Sequence, residues 1–274
     1  MPVTDTQLTQ KAAEIRRLLL RSIHAAGVGH VGGSLSIAEL IAVLYFDEMN
    51  IDPAKPNWHE RDRFVMSKGH CGPALYAALA MRGFFEIGEL DSLNQQGSRL
   101  PSHCDMNRTP GVDMTAGSLG QGFSCALGMA VAAKLDKLDS TIFALVGDGE
   151  CQEGQIWEGA LFAAHRNLDN VILFVDDNGM QIDGTTDEVC KMGDIAAKFA
   201  AFGWHGQTID GHSTAAIKEA ITVAKSAVGV PSVIVMKTKK GRGVPEFEDK
   251  VSSHSNTVTA EMLSAFDLSI GGEV

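Results

Sequence analysis

Near the start of the chain, apolar residues recur at helical spacing, with Ala12, Ile15, Leu19 and Ile23 on one stripe. This predicts a helix over residues 4–26 that stops at Gly27. A glycine-rich loop over residues 27–33 follows. Ser36 with Glu39 three residues on reads as a capping box opening a second helix, with Ile37, Leu40, Ile41 and Leu44 as its buried stripe. Residues 52–61 read as a loop, 63–66 as a short strand and the alanine-rich 73–81 as a helix. Residues 99–117 lack periodicity and carry Pro101, Pro110 and Gly111, which predicts an irregular loop before a helix over 119–135. Apolar runs of strand length then alternate with helical stretches. The strands are 141–146, 171–175 and 232–236, with a weaker one over 204–209; the helices are 155–165, 195–202 and 214–227. Continuous apolar strands separated by helices predict an α/β fold, a doubly wound parallel sheet covered on both faces. There is no internal repeat and no linker, so residues 1–274 read as one domain, with 255–274 as a loosely packed tail.

Composition narrows the function classes. The net charge of −11 argues against a nucleic-acid partner. No apolar run approaches the length of a membrane span, and the N-terminus lacks the pattern of a signal peptide. The five cysteines, at 71, 104, 125, 151 and 190, are odd in number and include no Cys-x-x-Cys. A disulfide framework or zinc site is not expected, and a cytoplasmic location fits.

Candidate chemistry sits at the strand ends. The strand ending at Val146 runs into Gly147-Asp148-Gly149, and the strand ending at Val175 runs into Asp176-Asp177-Asn178-Gly179. Each alone is an ordinary turn sequence. Together, at the carboxyl edge of neighbouring parallel strands, they would bring Asp148 and Asn178 to one place. A carboxylate, an amide oxygen and a backbone carbonyl form part of an octahedron that phosphate oxygens and water complete, the usual setting of Mg²⁺.

Gly-Asp-Gly, then 28 intervening residues, then this asparagine resembles the signature of thiamine-diphosphate enzymes. Further stretches narrow the likeness to the transketolase family. They are Met66-Ser-Lys-Gly-His70-Cys-Gly-Pro-Ala-Leu-Tyr76, Thr115-Ala-Gly-Ser-Leu-Gly-Gln-Gly122, Gly147-Asp-Gly-Glu-Cys-Gln-Glu-Gly154, Asp176-Asp-Asn-Gly-Met-Gln-Ile-Asp-Gly184 and Lys237-Thr-Lys-Lys-Gly-Arg-Gly243, with His254 beyond. The resemblance runs from about Gly29 to His254. It implies a thiamine-diphosphate-binding fold, in the role of the N-terminal section or subunit of a split transketolase. Two places depart from the family's pattern: Val-Gly-Gly-Ser follows His30 where a proline-containing form is common, and Ser-Asn follows His254 where glycine is usual.

The resemblance also implies residue roles. Asp148, Asn178 and the Met180 carbonyl would ligate Mg²⁺. Gly149 and His70 would bind the cofactor's diphosphate, and Gly117, Ser118 and Leu119 its aminopyrimidine. Lys240 would lie near the cofactor, and His30, His103 and His254 would line the sugar channel as proton donors and acceptors, His254 also near the cofactor. Glu153 would join an acidic chain at a subunit interface. The implied reaction moves a two-carbon ketol unit from a ketose to an aldose, either of which can be a sugar phosphate, with the chemistry carried by the cofactor. The family's pyrimidine-activating glutamate and phosphate-binding arginines belong to a second domain, expected here on a separate C-terminal subunit, with two copies of each chain in a two-fold heterotetramer. Other readings are an enzyme acting on a sulfosugar or other modified sugar, a two-chain 2-oxoacid dehydrogenase subunit, and a catalytically silent cofactor-binding module. The histidine set suits polyhydroxylated substrates and argues against the dehydrogenase.

Overall fold

The computed structural model describes residues 3–271. In chain order the helices are α1 (Asp5–Ala26), α2 (Gly32–Leu35), α3 (Ala38–Val43), α4 (Gly72–Arg82), α5 (Gln121–Leu135), α6 (Gly154–His165), α7 (Thr186–Val189), α8 (Ile195–Ala201), α9 (Thr214–Ser226) and α10 (Ala260–Gly271). The strands are β1 (Arg63–Met66), β2 (Ile142–Gly147), β3 (Val171–Asp177), β4 (Met180–Gln181), β5 (Gly184–Thr185), β6 (His205–Asp210) and β7 (Ser232–Lys237). A five-stranded parallel sheet has the order β1-β2-β3-β7-β6; β4 and β5 form a small separate hairpin.

The pleat explains why the strand runs are apolar throughout. Alternate residues point to opposite faces, and both faces are covered. Phe143, Leu145, Ile172, Phe174, Ile234 and Met236 bury against α1, α3, α4 and α9. Ala144, Val146, Leu173, Val175, Val233 and Val235 bury on the other side with Phe123 of α5, Ile156 of α6 and Phe199 of α8. Strand β6 has a half-exposed alternating pattern because it is an edge strand, bonded only to β7. That is why its apolar signal is weak.

Helix α1 follows its stripe. Thr4 caps it, the Gln7 N–H donating to Thr4 Oγ1 (3.3 Å) while the Thr4 N–H donates to Gln7 Oε1 (2.9 Å), and Gly27 closes it at φ +84°. The segment after it departs from expectation. Ser36 is not an N-cap: it closes α2 as its C-cap residue, α3 starts beyond it at Ala38, and the Ser36 hydroxyl donates to Asp176 Oδ2 (2.8 Å). Glu39 pairs instead with Arg16 (2.6 Å). Helix α3 is buried on every side, since α1, α4 and α9 all pack on it, so a single apolar stripe does not describe it. In the stretch read as a loose tail, Val258 and Phe266 are buried in the main core and α10 packs on α1; residues 272–274 lie outside the described residues.

Candidate active site

The carboxyl ends of β1, β2, β3 and β7 face one cleft of about 290 Å³. Strand β1 delivers Lys68 and His70, β2 delivers Asp148 and Gly149, β3 delivers Asn178, and the loop after β7 delivers Lys240. His30, His103, Gly117, Leu119, Met180 and His254 also line it, with Gly33, Gly147, Glu150, Gln181 and the residues of the β4–β5 turn, Ile182 and Asp183. Ser118 and Glu153 are exposed and lie outside this lining. Glu153 occupies the N-cap position of α6, and its side chain makes no capping bond.

The Asp148 carboxylate accepts from the Gly149 N–H (2.8 Å) and the Gly179 N–H (2.6 Å). Asn178 Nδ2 donates to Asp176 Oδ2 (2.8 Å), and Asn178 Oδ1 accepts from the Met180 N–H (3.1 Å). The amide is thereby oriented, and its oxygen keeps a second lone pair for a ligand. Burial, followed by the charges of Asp176 and Asp177, pushes Asp148 up to about 7, against the two N–H donors. A divalent cation held there would reverse the effect. No three His, Cys, Asp or Glu side chains group as a metal centre among the described residues. A sparse set of hard oxygen donors suits Mg²⁺ with phosphate and water ligands, and does not suit zinc. The residues present therefore fit a metal-bound diphosphate.

Lys68 and Asp176 escaped the sequence reading. Both are almost wholly buried, with Lys68 Nζ 2.5 Å from Asp176 Oδ2. Asp176 also accepts from Ser36, Asn178 and Thr238. Burial alone would raise its pKa, but the Lys68 charge and these donors outweigh it and hold Asp176 below its usual range. Lys68 is likewise taken and is not a spare cation for Asp148. The available signal was a carboxylate closing an otherwise apolar strand, with a lysine two residues past the end of β1.

Four histidines from four separate loops meet. The His30 ring centroid lies 5.3 Å from that of His70, 5.3 Å from that of His103 and 5.4 Å from that of His254; His70 and His254 are 5.1 Å apart. Two backbone links make this possible. Gly29 and Asn256 form an antiparallel bridge, which sets the His30 loop beside the His254 segment. The Cys104 N–H donates to the Gly69 carbonyl (3.2 Å), which sets His103 beside His70. Gly69 tolerates no side chain, because a Cβ there would stand 2.3 Å from the Ala116 carbonyl oxygen. Burial lowers the pKa of all four rings, and for His30, His70 and His254 neighbouring basic groups add to it; His254 falls to about 4. Near neutral pH the cluster is uncharged, so each ring has one N–H to donate and one nitrogen to accept. Lys240 Nζ lies 3.3 Å from His254 Nδ1.

Residues 8–273 match the family described as "Transketolase, thiamine diphosphate binding domain". The chain belongs to the transketolase family. It is 56% identical to the 6-deoxy-6-sulfo-D-fructose transketolase subunit SqwG of Clostridium sp. (strain MSTE9), over 97% of this chain and 96% of that one. It is 39% identical to an apulose-4-phosphate transketolase subunit of Phocaeicola vulgatus, over 90% and 87% of the two chains. The solved transketolase from Leishmania mexicana superposes with a TM-score of 0.92 at 30% identity, covering 99% of this chain but 42% of that one. The chain thus matches the length of these transketolase subunits. It spans under half of the longer Leishmania transketolase.

Proposed function

We propose that this chain is the thiamine-diphosphate- and Mg²⁺-binding N-terminal subunit of a two-chain transketolase, which transfers a two-carbon ketol unit from a ketose to an aldose. The observation that carries the reading is the meeting, in one cleft at the sheet's carboxyl edge, of an Mg²⁺-type oxygen donor set with a cluster of neutral histidines. Thiamine diphosphate, when bound, supplies the carbon nucleophile that takes up and releases the ketol unit. This chain's residues hold and orient. Asp148, Asn178 and the Met180 carbonyl hold Mg²⁺; the Gly149 N–H and His70 donate to the diphosphate; the backbone of Gly117, Ser118 and Leu119 meets the aminopyrimidine. His30, His103 and His254 bind sugar hydroxyls and move protons at the hydroxyl oxygens, a task suited to rings that both donate and accept. Lys240, beside His254, adds positive charge to that end of the cleft.

The partner is a C-terminal transketolase subunit carrying the pyrimidine-binding half, and Glu153, exposed at the start of α6, faces a subunit interface. Two copies of each chain in a two-fold heterotetramer is the simplest closed assembly. We place the enzyme in the cytoplasm, in keeping with five free thiols and with helices none of which is long and apolar enough to cross a membrane among the described residues. A narrower reading takes a 6-sulfonated ketose as donor. Identity of 56% to a protein of that name over nearly the full length of both chains favours it.

The test is an assay of this chain alone, at high concentration with Mg²⁺ and thiamine diphosphate, and again with the candidate C-terminal chain. Donors are 6-deoxy-6-sulfofructose and unsulfonated ketose phosphates. Turnover is expected only with both chains. Robust turnover by this chain alone would overturn the two-chain reading, and a preference for unsulfonated donors the narrower one.

A further inference from the structure

Glu150 follows directly after the Gly147-Asp148-Gly149 turn, borders the same cleft and is only 2% exposed. Its carboxylate collects three donors from three different segments. Oε1 accepts from the Ser67 hydroxyl (2.5 Å) just past β1 and from the Gly120 N–H (2.8 Å) in the turn before α5. Oε2 accepts from the Gly147 N–H (3.1 Å) at the end of β2. Ser67 Oγ accepts in turn from the Phe123 N–H (3.1 Å) in the first turn of α5, so its own proton is committed to Glu150. The junction is tight: a Cβ on Gly122 would stand 2.7 Å from Ser67 Cα.

These partners bracket the two halves of the cofactor cradle. Gly120 ends the turn whose Gly117 and Leu119 line the cleft, and Gly147 begins the turn that carries Asp148 and Gly149. No strand pairing joins the residues around Gly120 to β2. We propose that Glu150 is a positioning residue that sets the spacing between the pyrimidine-facing turn and the diphosphate-facing turn, so that one rigid molecule can engage both. The inference rests on thiamine diphosphate being the ligand. Only a carboxylate meets all three donors, because each of its oxygens accepts and neither donates. Glutamine keeps the shape but turns an –NH₂ either on Gly147, which costs one link, or on Gly120 and Ser67, which disturbs two, so at least one link is lost. Aspartate is one carbon too short to span the gap.

The spacing matters to a ligand that reaches both turns and not to one that reaches only the second. Calorimetry on the two-chain complex at saturating Mg²⁺ therefore compares thiamine diphosphate with inorganic pyrophosphate, for wild type and Glu150→Gln. The expected result is roughly tenfold weaker binding of thiamine diphosphate, the factor that about one lost charge-assisted hydrogen bond carries, with pyrophosphate binding unchanged. Equal losses for both ligands would make Glu150 a support of the diphosphate turn alone and overturn the proposal, as would no loss for either. If Glu150→Gln does not fold, Ser67→Ala replaces it. That variant withdraws one donor and frees the Phe123 N–H, and it should show the same ligand-selective loss at smaller size; its absence overturns the proposal equally. Failure of the wild-type complex to bind thiamine diphosphate would instead refute the functional reading beneath it.

Discussion

Replacing Lys68 by methionine keeps most of the side chain's bulk and removes its charge from a site where only 2% of the lysine side chain and none of the Asp176 side chain meets solvent. Asp176 would then be an ionised carboxylate in the core, still accepting from Ser36, Asn178 and Thr238 but without its cation. Removing one partner of a buried ion pair costs ~3–5 kcal/mol, because the survivor keeps its desolvation penalty. Three remaining donors put this case at the lower end, about 3 kcal/mol. For a domain of this size 1 kcal/mol moves Tm by ~2–4 °C, so the melting temperature should fall by ~6–12 °C. The double variant Lys68→Met/Asp176→Asn removes the stranded charge and should regain part of the loss, so the two substitutions should be strongly non-additive. Urea unfolding of the four proteins, followed by tryptophan fluorescence, measures the cycle. A Lys68→Met protein within ~0.5 kcal/mol of wild type, or additive single effects, would refute the reasoning, since neither is compatible with a buried, mutually dependent pair.

Asp148→Ala and Asn178→Ala should each abolish Mg²⁺-dependent binding of thiamine diphosphate while the chain stays folded, because the diphosphate charge then lacks its counter-ion; unchanged affinity by calorimetry would remove that residue from the metal set. Alanine at His30, His103 or His254 should lower turnover of the assembled enzyme ~10²–10⁴-fold with a much smaller effect on cofactor affinity, whereas His70→Ala should weaken cofactor binding. Wild-type kinetics for His103→Ala would exclude that loop from the sugar channel. Glu39 is held at about 2, against an ordinary value of 4.5, because the Arg16 charge and hydrogen bonds from His212 and Arg16 outweigh the upward push of burial. Its contribution, on the order of 3 kcal/mol, is present above about pH 4.5 and is lost as pH falls from there toward 2. Glu39→Gln should therefore be less stable at neutral pH and show a flatter acid-unfolding profile; a profile parallel to wild type would contradict this.

The fold class was open to reading along the chain because its cause is local. Strands buried on both faces must be apolar at every position, as in 142–146 and 171–175, and the helices between them keep their own period. The strand-end turns at 147–149 and 176–179 were legible for the same reason, since glycine and acidic residues punctuate the chain where a strand stops. What only the tertiary structure decided depends on bonds between segments far apart in sequence. Ser36 has the spacing of a helix cap, yet its hydroxyl is claimed by Asp176, 140 residues away. Lys68 and Glu150 stood inside stretches already singled out, but their roles come from partners that no spacing names. The four histidines meet because the Gly29–Asn256 bridge and the Cys104–Gly69 hydrogen bond fold their loops together. Local preference selects the elements, whereas the pairing of buried polar groups is settled only when packing removes water from them and leaves each donor the few protein acceptors within its reach.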